Sequence, residues 1–120
     1  MKTQISIKKI CDNIIKNKEG ITLNFNGNIP KLKGYAVSIT NNKPLLNSNK
    51  ELKQSILNLI KLSNRLNLNG YIGSWIDKTN KVFIDLTLNV NDKNEALNIG
   101  KAFNQQAIFS FNSKEVISIN

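Results

Sequence analysis

The stretch GYIGSWIDKTNKVFIDLTLNVNDKNEALNIGKAFNQQAIFSF, residues 70–111, decides the fold. Its central segment, Val82 to Val90, has an apolar residue at every second position, which is typical of a β-strand with one buried face. The segment YIGSWID before it alternates as well, and the polar residues 78–80 between the two segments predict a hairpin connection. Asp92 and Glu95 then cap a predicted helix. The stretch therefore predicts two antiparallel strands followed by a helix.

The predicted hairpin turns an aromatic face away from the core. Alternation places Tyr71, Trp75 and Phe83 on this outward face, together with the polar residues Asp85 and Thr87. Aromatic side chains on a sheet stack on nucleobases, and neighbouring carboxylates or amides bind base edges and ribose hydroxyls. A second small core or a subunit interface would explain the same aromatic residues. These hypotheses are compatible, because ligand sites often lie between subunits.

Upstream of this stretch, apolar residues at helical spacing predict two more helices. The first covers roughly residues 3–17, and the second begins at a capping box formed by Ser48 and Glu51. The residues predicted to be buried are Ile7, Ile10, Cys11, Ile14 and Ile15 in the first helix; Leu52, Ile56, Leu59, Ile60 and Leu66 in the second; and Ala96, Ile99, Gly100 and Phe103 in the helix after Asp92.

The remaining alternating segments predict two further hairpins. ITLNF (21–25) and GYAVSIT (34–40) are expected to pair with each other, and AIFSF (107–111) is expected to pair with VISI (116–119). The order αββ therefore occurs three times. It predicts one α+β domain over residues 1–120, an antiparallel sheet with its helices packed on one face.

The positive charge is concentrated in the first half of the chain. The formal net charge is +9, and residues 1–66 hold twelve Lys or Arg against three acids, while residues 67–120 hold five of each. This excess predicts a phosphate-bearing partner, although lysines on solvated faces explain it too. Arg65 is the one arginine beside sixteen lysines. It follows Lys61 on a polar stripe of the second helix, where both are predicted to neutralise phosphates.

Catalysis has little support in the composition. The chain has no histidine, so it lacks the usual general base and the commonest metal ligand. Its single cysteine, Cys11, lies on an apolar helix stripe and is expected to be a core residue. The acids form no metal-like cluster and no glycine-rich phosphate loop is present. We therefore expect no enzyme activity, no cofactor and no bound metal, and the lack of a long apolar run predicts no membrane insertion.

Asn104 and Gln105 lie between the third predicted helix and the strand after it. Polar amides at such a position hydrogen-bond backbone at a helix end. A ligand contact from either residue is the alternative.

Three blocks of the chain resemble a phage-encoded family, the anti-Thoeris sponge proteins (Thoeris anti-defence protein, first type). ITLNFNGNIPKLKGYAVSI (21–39), YIGSWIDKTNKVFIDLTLNV (71–90) and EALNIGKAFNQQAIFSF (95–111) follow the order of that family's GYAVS, GxWxDxxTGKVYxD and NQxAIxD-like blocks. The resemblance implies an oligomer that binds the cyclic ADP-ribose signal of bacterial TIR-domain enzymes without cleaving it. It also implies ligand sites near subunit contacts and, in some members, uptake of cyclic oligonucleotides.

The chain departs from the family pattern at two positions. Asn80 stands in the hairpin turn where the family often has glycine, and Ser110 stands where an acid is common. The second departure argues against carrying over a ligand role for that acid. Phe83 occupies the aromatic position of its block and is implied to stack the ligand.

The sequence thus predicts a sponge for cyclic ADP-ribose isomers, forming a homo-oligomer, dimer or higher, in the cytoplasm of an infected bacterial host. The rivals are a basic phage nucleic-acid-binding protein, which the basic N-terminal part suggests although nucleic acid is not the expected partner, and a hydrolase of the same signal. The predicted ligand-binding residues are Phe83 and Trp75 for stacking, Arg65 and Lys61 for the phosphates, and Asn104, Gln105 or Asp85 for the base or ribose.

Overall fold

The computed structural model describes residues 4–41, 44–45 and 49–119. Within these ranges helices and strands follow one another in three αββ passes, as predicted. None of the helices described is long and apolar enough to cross a membrane. The elements are α1 (Ile7–Lys16), β1 (Ile21–Leu23), β2 (Tyr35–Ser38), α2 (Asn49–Arg65), β3 (Tyr71–Ile76), β4 (Val82–Val90), α3 (Lys93–Ala102), β5 (Ala107–Ser110) and β6 (Glu115–Ser118).

The strands of the described ranges form one antiparallel sheet in the order β1-β3-β4-β2-β5-β6. The predicted hairpins β3–β4 and β5–β6 are confirmed. The predicted pairing of the first two strands is wrong, because β1 pairs with β3 while β2 lies between β4 and β5. The turn after β1 packs on α1, where the Asn13 amide donates to the carbonyl of Gly27 at 2.7 Å. This turn therefore leads the chain away from β1, so β1 and β2 form no hairpin. Strand β4 then pairs with β3 along one edge and with β2 along the other.

The core lies between the sheet and the helices. Strand register places Leu23, Ile72 and Leu86 on the same face of the sheet, where they pack against buried residues of α1 and α2. A second cluster joins α3 to β2, β4 and β5 on that face. The α+β fold with its helices on one side of the sheet is confirmed. Cys11 is buried in the first cluster, and burial raises the pKa of its thiol.

The predicted buried faces are right for most positions and wrong for three. Ile15 is 37% exposed, Leu66 50% and Phe103 43%. Leu66 and Phe103 each directly follow the last residue of a helix, where the chain turns away. Ile15 lies about 100° around α1 from the buried Ile14, at the edge of the apolar stripe. 

The predicted helix starts differ from those observed. α1 begins four residues later than predicted, after Ser6, whose Oγ accepts from the Lys9 amide at 3.3 Å. The predicted cap at Ser48 lies outside the described residues. Asp92 caps α3 as predicted, because its carboxylate accepts from the Glu95 amide at 2.9 Å.

Candidate functional site

The sheet face opposite the helices is uncovered in the described part of the chain, and we call it the open face. Strand register decides which side chains it carries, because cross-strand partners in an antiparallel pair share a face. The predicted outward face of the β3–β4 hairpin is part of it. The side chains of the open face belong to Thr22, Ala36, Ser38, Tyr71, Trp75, Phe83, Asp85, Thr87, Asn89, Ala107, Phe109, Val116 and Ser118.

Two aromatic rings stack on this face. Trp75 and Phe83 are direct cross-strand partners, and their rings lie 4.3 Å apart between centroids and 6° from parallel. One ring face of Phe83 is therefore covered by Trp75. Trp75 is 46% exposed. If the β1–β3 register is continued by one residue, Gly20 lies opposite Trp75 and has no side chain to cover the other ring face. Trp75, rather than Phe83, thus presents a free ring to a ligand.

Asp85 lies in the next row of the open face and is half-buried. Thr40 Oγ1 donates to its carboxylate at 3.5 Å. Burial raises the pKa of Asp85, an effect that hydrogen bonds from the hydroxyls of Ser38 and Thr40 partly offset. Within the described residues no Lys or Arg forms an ion pair with it. A buried carboxylate without a cation is costly for folding, and such groups are concentrated at functional sites.

Gly73 is the cross-strand partner of Asp85 and leaves a gap between Tyr71 and Trp75. A Cβ at this position would lie 2.5 Å from Thr87 Oγ1, so the threonine hydroxyl already leans over the glycine. Thr87 is only 5% exposed although it belongs to the uncovered face. The gap is therefore bordered by the Thr87 hydroxyl as well as by the rings of Tyr71 and Trp75.

The predicted cations lie elsewhere. Lys61 and Arg65 are exposed on the outward side of α2, in the helix layer, so the sheet separates them from Trp75 within one chain. Lys81 precedes β4 by one residue, and the alternation of that strand places it on the open face beside Phe83. The sequence shows this lysine two positions before Phe83, but the predicted site did not include it.

The hairpin turn that holds Lys81 is tightly bonded. The Asp77 carboxylate accepts from the Thr79 amide and from the Lys81 amide, each at 2.9 Å, and from the Thr79 hydroxyl at 2.7 Å. These bonds, with the Thr79 hydroxyl first, lower the pKa of Asp77. Asn80 adopts φ +66°, a conformation that asparagine tolerates better than most residues. Asparagine is thus accommodated in this turn at little cost.

Asn104 and Gln105 form the end of α3. Asn104 has φ +56°, its amide donates to the carbonyl of Lys101, and the Gln105 amide donates to that of Gly100 at 2.8 Å. These two backbone bonds form a Schellman motif. The predicted side-chain bond at the helix end is made by Gln105, whose Nε2 donates to the Phe103 carbonyl at 3.3 Å. The Gln105 side chain donates to the Thr40 carbonyl at 3.1 Å. Gln105 therefore supports the strand end that contacts Asp85.

No protein-family model matches this chain, and neither a curated protein nor a solved structure does. Among the residues that the structure describes, no three His, Cys, Asp or Glu side chains lie close enough together to hold a metal ion. The resemblance to the anti-Thoeris sponge family stays a prediction from the sequence blocks.

Proposed function

We propose that this protein binds a small cyclic nucleotide on its open face and sequesters it without cleaving it. The observation that carries the proposal is the exposed Trp75–Phe83 stack on a sheet face that none of the described helices covers. A base that stacks on the free ring of Trp75 extends this stack, and each such contact stabilises binding by about 1–3 kcal/mol. The resemblance narrows the ligand to cyclic ADP-ribose isomers, with cyclic oligonucleotides as possible further ligands.

The charges near the stack fit a ligand with phosphates at one end. Lys81 lies on the open face beside Phe83, and Lys78 lies in the same hairpin turn. An ammonium group near a phosphate forms a charge-assisted hydrogen bond. Asp85 lies on the other side of Phe83, where it accepts hydrogen bonds and repels phosphate. The open face thus favours one orientation of a nucleotide.

The proposed role is that of a trap for the signal of a TIR-domain enzyme in the cytoplasm of an infected bacterium. A trap that binds one signal molecule per site needs a dissociation constant well below the signal concentration. Because Lys61 and Arg65 lie across the sheet from Trp75, they reach an open-face ligand only from a second copy of the chain. A homo-oligomer in which α2 of one copy borders the open face of another is therefore part of the proposal.

Nucleic-acid binding is the second candidate, favoured by the charge of the helix layer. Together α1 and α2 carry seven Lys or Arg residues against two acids. A basic surface of this kind binds the phosphate backbone in a manner that weakens steeply with salt. This surface lies on the other side of the sheet from the aromatic stack, so the two candidates predict different binding residues.

One experiment separates these functions. The protein is incubated with cyclic ADP-ribose isomers made by a TIR-domain enzyme, filtered free of unbound ligand, and heated, and the released molecule is identified by mass spectrometry. Recovery of intact ligand from wild type, and its loss in Trp75→Ala, supports the sponge. A cleaved product contradicts it and indicates a hydrolase. Absence of captured ligand, together with salt-sensitive binding to duplex DNA or RNA, favours the nucleic-acid function.

A further inference from the structure

The row of Thr22, Gly73 and Asp85 forms a lane across three strands of the open face. Because the middle position is glycine, no side chain of β3 stands between Thr22 and the carboxylate on β4, although the Thr87 hydroxyl leans over Gly73 from the border of the lane. Trp75 and Phe83 border the lane on one side, and Tyr71 and Thr87 border it on the other. Residues four apart on a strand lie roughly 13 Å from one another, so Tyr71 and Trp75 leave space between them.

The orientation of the aromatic stack directs a ligand into this lane. Trp75 and Phe83 stack across neighbouring strands with nearly parallel rings, so the free ring face of Trp75 points towards β1. A base stacked there lies over β1, next to the Thr22 end of the lane. The strand that carries Asp85 is two strands away, roughly 10 Å between backbones. The Asp85 side chain and the sugar of the bound nucleotide extend towards each other across this distance.

Asp85 has acceptor capacity that the described residues do not use. An ionised carboxylate has about four lone-pair sites. Its contacts within the described ranges are with hydroxyl groups, the Thr40 contact is long at 3.5 Å, and no described cation pairs with it. Its negative charge disfavours phosphate. The donors that suit it are therefore the hydroxyl groups of a sugar.

We propose that the lane is a ribose subsite, in which Asp85 accepts hydrogen bonds from the hydroxyl groups of the ribose whose base stacks on Trp75. The protein then selects ribonucleotides over their deoxyribose analogues. This inference rests on the proposed function, since it needs a nucleotide on the open face. A site that hydrogen-bonds a hydroxyl rejects an analogue without it, because the buried polar group is left unpaired.

The test compares cyclic ADP-ribose with its deoxyribose analogues by isothermal titration calorimetry. We expect wild type to bind the ribose form at least about 10-fold more tightly than the analogue lacking the contacted hydroxyl. Asp85→Asn, which keeps the shape and removes the charge, should bind the two forms within about threefold of each other. Asp12→Asn removes an exposed carboxylate of α1, on the other side of the sheet from the lane, so it should keep the wild-type preference. Melting curves confirm that each variant is folded.

Three results would overturn the ribose subsite. Equal affinity of wild type for both forms, with binding of both lost in Trp75→Ala, removes the subsite and leaves the proposed function standing. An unchanged preference in folded Asp85→Asn shows that another residue recognises the hydroxyl. A wild-type protein that binds neither form removes the subsite and the proposed function together.

Discussion

Replacement of Trp75 by alanine tests the proposed site most directly. The substitution removes a ring that is 46% exposed and stacked at 4.3 Å on Phe83. Loss of the aromatic pair costs the fold about 0.5–1.5 kcal/mol, a small part of the roughly 5–15 kcal/mol that stabilises a typical domain. Loss of the stacked base costs binding about 1–3 kcal/mol, which weakens affinity about 5- to 150-fold. The variant should therefore stay folded and bind poorly.

Two measurements check this expectation. Trp75 is the one tryptophan of the chain, so any change in tryptophan emission during titration of wild type reports on this ring. Calorimetry then gives the affinity of Trp75→Ala, which has no tryptophan. Val116→Ala is a matched control, because Val116 is 74% exposed on the same face at the opposite edge of the sheet. Unchanged affinity in Trp75→Ala, or ligand binding without any change in wild-type emission, would refute stacking on this residue.

Three further predictions concern charge and backbone. The pKa of Asp85 is raised in the folded state, so its contribution to the free energy of unfolding is greatest at low pH and is lost as pH rises from the ordinary pKa of 3.8 through the folded-state pKa. Asp85→Asn should therefore raise Tm at pH 7, and a lower Tm would contradict this. The lowered pKa of Asp77 has the opposite sign, so Asp77→Asn should lower Tm at pH 7 and lose this effect in acid, as scanning calorimetry will show. Gly34→Ala should cost at least about 1–2 kcal/mol in urea unfolding, because Gly34 has φ +78° and a Cβ would lie 2.6 Å from a backbone oxygen of β4. Gly100→Ala in α3 should lower the free energy of unfolding by less than Gly34→Ala, because the added Cβ would meet the end of the Ile119 side chain, at 2.5 Å, rather than backbone. The reverse order would contradict the geometry.

The helices and strands were predictable because their signals are local. Alternation between Val82 and Val90 and the spacing of apolar residues in α1 and α2 are read over a few turns of helix or a few residues of strand. Strand pairing depends instead on contacts between residues that are distant in the sequence. β1 has three residues and pairs with β3 because the turn that follows it packs on α1, a tertiary contact with no sequence pattern of its own. That contact explains why the first hairpin was wrongly predicted.

The candidate site was predictable in part for the same reason. Alternation along β3 and β4 placed Trp75, Phe83 and Asp85 on one face, and the structure has them there. The predicted fold already placed the helices on the core side of the sheet, so Arg65 of α2 could join the aromatic site only from a second copy of the chain. Alternation did not show that Trp75 covers one face of Phe83, because that contact depends on side-chain rotamers rather than spacing.

The position of β2 inside the sheet has a consequence for synthesis of the chain. β2 is made early, yet its partners β4 and β5 follow much later, and the Tyr35–Ser110 pair joins residues 75 positions apart. Pairings between residues so distant in sequence slow folding, because loop closure must precede the contacts. While the ribosome is still translating the second half, the first pass therefore has strands with no partner. β1 has no partner before β3 emerges, and β2 has none before β4 emerges, so fragments that end after α2 should not fold.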